Sequence, residues 1–371
     1  MMTTAPTTVP LTITNSTGQD DSEIYLVIIG LDANGCWAYV NADGSTTEFS
    51  ATGPNNYLLQ LSSLTNNTVN VPWLVSGQVY FSVGSPLTFG ATSDAKQPCG
   101  IGVQVPAGWT TSDPNYDVMY DVVEFTFDAG GINCDLTQVD AFGLPITLQI
   151  VGQNGTQTTG AWNKTRSEMF AEFTSDATLG KLVITSGTPP DQIDLRILNP
   201  SHAIALGLFP SDFFDDAIAD YWNTYQNNTL TITLVGGSFP GTYQATTGGK
   251  GAPMTITLGG TQVGQITYPT TSEVFACNGT FDQGNTAMGA VANVVVTAIN
   301  RGILGISSQP DCNVSDFYPA KGTWNGYAQL LHSLSADGLC YAFAYDDQCA
   351  QSSDLADPAP TSWNITLESV S

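Results

Sequence analysis

The stretch Tyr120-Asp121-Val122-Val123-Glu124-Phe125-Thr126-Phe127-Asp128 decides the fold class. Val123, Phe125 and Phe127 point to one side and Glu124, Thr126 and Asp128 to the other. This is the period of a strand with one buried face. The same pattern recurs outward from it. Val9-Pro10-Leu11-Thr12-Ile13-Thr14-Asn15 and Gln78-Val79-Tyr80-Phe81-Ser82-Val83 also alternate, with Gly, Asn, Asp and Pro clusters between such runs from residue 8 to about 150. Short alternating strands between turn signals predict a sandwich or barrel.

Beyond residue 158 the pattern changes. Pro210-Ser211-Asp212-Phe213-Phe214-Asp215 predicts the start of a helix, with Ser211 or Asp212 as cap. Phe214, Ile218, Tyr221, Trp222 and Tyr225 then follow at helical spacing. A second helix is expected from about Thr286 to Ile303, and a shorter one from Arg166 to Phe173. Leu230–Leu234 and Met254–Leu258 read as strands, and Gly248, Gly249 and Gly251 as a turn. Cys340–Tyr345 and Trp363–Leu367 return to strand pattern, the latter placed to pair with the first strand. The expected fold is mainly β with an α/β insertion. A β domain comprises residues 1–157 and 308–371, and a mixed α/β domain spans 158–307.

Charge limits the partners. Eight Lys and Arg stand against 33 Asp and Glu, a net charge of −25, and charged residues make up only 11% of the 371-residue chain. Binding a phosphate backbone needs clustered cations, so nucleic acid is excluded and an anionic membrane disfavoured. A neutral partner fits. No apolar run approaches the ~20 residues of a membrane span. The start, Met1-Met2-Thr3-Thr4-Ala5-Pro6, has neither the basic nor the apolar region of a signal peptide. The chain is therefore expected to be cytosolic by default, or a mature form with an added start. The seven cysteines favour the second expectation, a secreted protein with disulfides. They show no metal-ligand spacing, and His202 and His332 cannot complete one. Eight Asn-x-Ser/Thr sequons, from Asn15 to Asn364, add weak support for secretion.

Two acids stand out. Glu124 lies mid-strand on a polar face, which is either a solvated sheet face or one that meets a ligand. Asp140, in Leu136-Thr137-Gln138-Val139-Asp140-Ala141-Phe142-Gly143-Leu144-Pro145, interrupts an apolar strand. It either bonds backbone amides at a bend or does chemistry. Two carboxylates, one protonated and one ionised, are what glycoside hydrolysis needs. There is a geometric obstacle. A tight hairpin at Asp128-Ala129-Gly130-Gly131 would set Glu124 opposite Asp135. Asp140 would then lie about 16 Å further along, on the other face. The acids can cooperate only if the loop is longer, a bulge shifts the register, or the strands diverge. No nucleophile elbow or phosphate loop is present. Asp346-Asp347 and Asp215-Asp216 lack EF-hand spacing, and a helix N-terminus accounts for the second pair.

Glu124-Phe125-Thr126, Val139-Asp140-Ala141-Phe142-Gly143-Leu144-Pro145 and Cys340–Asp347 resemble segments of the thaumatin-like superfamily, whose plant members are shorter and lack the helical block. Over nearly the whole chain the sequence is more similar to glycoside hydrolase family 64, the laminaripentaose-producing β-1,3-glucanases. The matching stretches include Gly131-Ile132, Thr137–Asp140, Asp215–Ile218, Ser272–Cys277, Gln309–Asp311 and Ala336–Gly338. The resemblance implies a thaumatin-like β-barrel or sandwich domain and an α/β domain flanking a wide groove for β-1,3-glucan. It also implies an inverting mechanism without metal or organic cofactor. By position Glu124 matches the family's general acid and Asp140 its general base. Thr126, Asp128, Asn133 and Thr137 fall at sugar-binding positions, Asn133 where the family has Trp. Cys340 and Cys349 resemble a bridge of the superfamily. Cys277 with Cys312 and Cys36 with Cys99 are guesses for the other pairs, leaving Cys134 free.

The resulting expectation is a secreted, monomeric, inverting β-1,3-glucanase that releases laminaripentaose or similar oligosaccharides. Its Glu124 should hold its proton to unusually high pH. A non-catalytic thaumatin-like glucan-binding protein is the alternative, and a structural or adhesive protein a third reading.

Overall fold

The computed structural model of the protein describes residues 5–97 and 99–371. It divides into two compact units. The first comprises the chain up to Leu198 with Leu334–Cys340 and Ser353–Ser371, and the second Asn199–Ser333 with Tyr341–Ser352.

Two sheets form the body of the first unit. One has five strands, in the order Gly155–Thr159, Ile146–Gly152, Ser362–Leu367, Thr8–Asn15 and Thr68–Pro72. The C-terminal strand does pair with the first, in parallel, Leu11 opposite Trp363. The other sheet runs Asp354–Asp357, Gly131–Leu136, Met119–Asp128, Leu74–Val83, Ile24–Leu31, Trp37–Val40 and Thr46–Glu48, with Leu59–Gln60 beside Ile24–Leu31. Their apolar faces share one core. Val123, Phe125 and Phe127 are buried in it with Leu11, Ile13, Trp363 and Ile365. The Phe125 and Trp363 rings meet at 5.1 Å.

The outer face of the second sheet is split. One end is covered by a separate apolar cluster of Val27, Ile29, Tyr39, Tyr80 and Tyr120 with Phe49, Leu87 and Phe89. The Cys36–Cys99 disulfide closes a loop of 63 residues around that end, with Cα atoms 5.3 Å apart. The other end carries Glu124, Thr126 and Asp128. Only half of the alternating strand's outer face is therefore polar, and Glu124 sits where the cover stops.

A small third sheet, Ala141–Phe142, Ile193–Leu198 and Val183–Ser186, completes the unit. Helix Arg166–Ser175 accompanies it, opened by a Thr165/Glu168 capping box, with Met169, Phe170 and Phe173 buried. The pairing of Ala141 with Leu198 ties the segment after residue 158 to the β unit. The unit boundary thus falls at Leu198, beyond the change of pattern near residue 158.

The second unit has a five-stranded sheet, in the order Thr261–Ile266, Met254–Leu258, Gly241–Thr247, Leu230–Leu234 and Ser308–Gln309. Its helices include Asp215–Asn227 and the almost wholly buried Ala287–Asn300. Gly249 and Gly251 have positive φ in a turn, as their spacing implied.

Three expectations are corrected in this unit. The first helix begins at Asp215, and neither Ser211 nor Asp212 caps it with a side chain. Phe213 and Phe214 are instead drawn into an aromatic cluster with Phe275, and the Phe214 N–H donates to Thr271 Oγ1 at 2.9 Å. The Tyr341–Tyr345 run is not a strand. Buried Asp346 folds it into turns by accepting from the Ala342 N–H (3.1 Å), Arg301 Nη2 (3.0 Å) and His332 Nε2 (2.9 Å). Those partners occupy both oxygens of the Asp346 carboxylate. Finally, Cys349 bonds Cys312, with Cα atoms 5.2 Å apart, so the Cys340–Cys349 and Cys277–Cys312 pairings do not form. Cys134, Cys277 and Cys340 are buried thiols. Among the described residues no helix is long and apolar enough to cross a membrane.

Candidate active site

Glu124 is fixed by the ladder on both sides. Gln78 lies opposite it on one neighbouring strand and Asp135 on the other. The hairpin to Gly131–Leu136 is tight, with Asp128 paired to Gly131. Asp128 Oδ1 accepts the Gly130 N–H at 2.7 Å and so shapes the turn. Gly131 has φ +111° and a Cβ there would sit 2.2 Å from the Asp357 carbonyl, so glycine is required.

The register is the one expected of a tight hairpin, and the acids are brought together by the third route, divergence of the strands. Pairing stops at Leu136 opposite Val123. Thr137 and Gln138 turn inward and are buried, and Asp140 emerges exposed. Ala141–Phe142 then join the third sheet, opposite Leu198 and Ile197. Gly143 and Leu144 return to the strand they left, donating their N–H groups to Asp121 Oδ2 at 2.8 Å each. Asp140 thereby comes back beside Glu124. Both acids line one cavity of about 100 Å³, together with Gln78, Tyr80, Trp109, Tyr120, Thr137 and Arg196.

The two acids are held differently. Glu124 is half-buried, and burial, reinforced by the charge of Asp140, pushes its carboxyl above the ordinary range. Hydrogen bonds from Gln78 and Thr137 pull the other way. Gln78 Nε2 donates to Glu124 Oε1 at 3.3 Å, and the Tyr80 hydroxyl donates to Gln78 Oε1 at 3.0 Å. Tyr80 therefore decides which end of the amide faces Glu124. Burial and its acidic neighbours push the Tyr80 hydroxyl well above its usual range, so it remains a donor.

Of the four positions expected to bind sugar, Thr137 lines the cavity. Thr126 and Asn133 face each other across the hairpin one rung beyond Glu124, on its side of the sheet, with Asp128 beyond them. These three lie outside the cavity wall.

Gln78, Tyr80, Asp121 and Arg196 were not singled out from sequence. Gln78 and Tyr80 share a face by alternation, but only the register places them against Glu124. Asp121 carried a visible signal, being an acid at the parity of the buried Val123 and Phe125. Among the described residues the most voluminous cavity, about 660 Å³, lies in the α/β unit, and its one lining carboxylate is Asp347, so that cavity holds no acid pair.

Comparison with known proteins bears on this arrangement. Residues 7–367 match the glycoside hydrolase 64 family model, described as β-1,3-glucanase. The chain belongs to this family. Among solved structures, this family 64 chain is similar to a laminaripentaose-producing β-1,3-glucanase in complex with laminaritetraose, with TM-score 0.88 and 27% identity over 98% of this chain and 99% of that one. A β-1,3-glucanase domain from Clostridium beijerinckii matches with TM-score 0.85 and 26% identity, covering 98% of each chain. The glucan endo-1,3-β-glucosidase of Cellulosimicrobium cellulans is 31% identical over 374 residues. The match takes in 98% of this chain and 65% of the length of that relative, and the same shares hold for a relative from Arthrobacter sp. (strain YCWD3).

Proposed function

We propose that this protein hydrolyses β-1,3-glucan of the laminarin or curdlan type by a single inverting displacement, releasing laminaripentaose or similar oligosaccharides. The observation that carries the reading is the convergence of Glu124 and Asp140 on one cavity in unlike environments. Glu124, whose carboxyl is pushed up by burial, is the general acid. It gives its proton to the glycosidic oxygen as the bond to the anomeric carbon breaks. Asp140, exposed at the rim, is the general base and takes a proton from the water that attacks the opposite face of the sugar. After one turnover Glu124 is ionised and Asp140 protonated, and solvent exchange restores both.

Gln78 occupies Oε1 of Glu124 with an N–H, so the acidic proton resides on Oε2. Thr137 in the cavity, and Thr126, Asn133 and Asp128 along the same sheet face, supply hydroxyl, amide and carboxylate partners for sugar hydroxyls. The family membership and the low total charge both suit an uncharged polysaccharide. Two disulfides support an oxidising compartment, and secretion as a monomer belongs to the same reading.

Incubation with laminarin should release reducing ends, and proton NMR of fresh hydrolysate should show the α-anomer first. Binding without new reducing ends would leave a glucan-binding protein, and an initial β-anomer would rule out inversion.

A further inference from the structure

Glu124 stands on a ladder, whereas Asp140 stands on an excursion, Thr137–Phe142, between two strands. The first foot of that excursion is the Val123–Leu136 pair. The second is Asp121, which is three residues before Glu124 on the same strand and only 6% exposed. Its Oδ2 accepts from Gly143 and Leu144 at 2.8 Å each, and its Oδ1 accepts from the Val122 N–H at 2.8 Å. The backbone lies almost flat on the strand there, since a Cβ on Gly143 would be 2.1 Å from the Tyr120 carbonyl oxygen. On its far side the Gly143 carbonyl accepts from Arg166 Nε at 2.7 Å. Arg166 Nη2 in turn donates to the carbonyls of Asp194 and Leu195.

We propose that Asp121 is a positioning residue whose buried carboxylate sets the separation of Glu124 and Asp140 by pinning the second foot of the Asp140 excursion to the strand that carries Glu124. The inference rests on the hydrolytic reading above. Asp121 lies at the wall of the same cavity, but both its carboxylate oxygens are taken by backbone N–H groups. Its effect is on the placement of Asp140, and a displacement of about 1 Å in such a group costs up to about 100-fold in rate. A carboxylate is needed because three N–H donors converge on it. The amide of an Asn has one acceptor oxygen, so an Asn that serves Gly143 and Leu144 turns its own NH2 toward the Val122 N–H.

The test is steady-state hydrolysis of laminarin by wild type, Asp121→Asn and Gly143→Ala, each checked for folding by near-UV circular dichroism. Both variants should lose about 10–100-fold in kcat while KM stays close to the wild-type value, because Thr126, Asp128 and Asn133 on the hairpin face are untouched. Gly143→Ala lifts the same foot while leaving Asp121 in place, so the idea stays open to refutation if Asp121→Asn does not fold. A folded variant of either kind with wild-type kcat, or with its loss confined to KM, overturns the proposal. Wild-type protein that releases no reducing ends overturns the hydrolytic reading itself, which is a separate result.

Discussion

Replacing Gln78 with Met gives a signed test of how the acid is held. The Gln78 amide donates to Glu124 Oε1 at 3.3 Å, with its own oxygen fixed by the Tyr80 hydroxyl. An N–H donor stabilises the ionised carboxylate and so lowers its pKa. Met fills similar space without a donor, so Glu124 should hold its proton to higher pH. A hydrogen bond to a charged group contributes about 1.5–3 kcal/mol. This one is longer than the common 2.9–3.0 Å or so, which favours the lower end, near 1.5 kcal/mol or about one pKa unit. The assay is kcat/KM on laminarin against pH. Its alkaline limb reports loss of the general acid's proton and should move up by about one unit, while the acidic limb stays. Tyr80→Phe, which lets the Gln78 amide flip, should shift the same limb upward by less. An alkaline limb that stays put in Gln78→Met, or moves down, would refute the argument that Glu124 is the acid and Gln78 its donor.

Glu124→Gln and Asp140→Asn should each lower turnover by about 10²–10⁴-fold with wild-type thermal melting, and near-wild-type rates in either variant would remove the role assigned to that residue. Arg196 donates to the carbonyls of Gly108, Tyr116 and Val118, so Arg196→Met strands three acceptors; urea unfolding should show a loss of roughly 3 kcal/mol. Opening the Cys36–Cys99 bridge by a double Ala substitution should cost about 2–4 kcal/mol by the same measurement, given its 63-residue loop. Asp121 is pushed up to about 6 by burial, against an ordinary 3.8, so folding favours its protonated form. The associated stability is fully present below pH 4 and lost as pH rises through 6. Relative to Asp121→Asn, wild type should therefore lose about 3 kcal/mol between pH 3 and 7, and parallel stability curves would contradict this.

What could be read from sequence follows the range of the forces involved. Strand alternation is local, so Thr8–Asn15, Met119–Asp128 and Ser362–Leu367 were legible, as was the hairpin register at Asp128–Gly131. Cys340–Tyr345 alternates just as well, but a buried ion pair between Asp346 and Arg301 outweighs its propensity, and nothing local announces a partner 45 residues away. Cys349 was misassigned for the same reason, because pairing depends on which turn brings a cysteine to Cys312. Glu124 and Asp140 were found by residue type and family resemblance. Their meeting was not legible, since it depends on where Gly131–Leu136 leaves the sheet. Asp121 was the available clue, a charge where the strand's parity calls for an apolar side chain.

That departure also explains why each acid suits the role proposed for it. A residue on a central strand cannot move without disturbing two ladders, so Glu124 is held still, and the apolar cover that ends beside it supplies the burial that pushes its carboxyl above the ordinary range. A base needs room for a water between itself and the sugar, which a second residue on the same hairpin rung would not leave. Asp135 illustrates this. It sits directly opposite Glu124, with its Cβ at the roughly 5 Å spacing of cross-strand neighbours, whereas an inverting pair needs about 6.5–9.5 Å between its carboxyl groups, and it does not line the cavity. By leaving the sheet at Leu136 and returning at Gly143, the chain brings a different carboxylate, Asp140, to the same cavity from the side. If Asp135 rather than Asp140 were the working partner, Asp135→Asn would abolish turnover and Asp140→Asn would spare it, and the excursion would have no catalytic purpose.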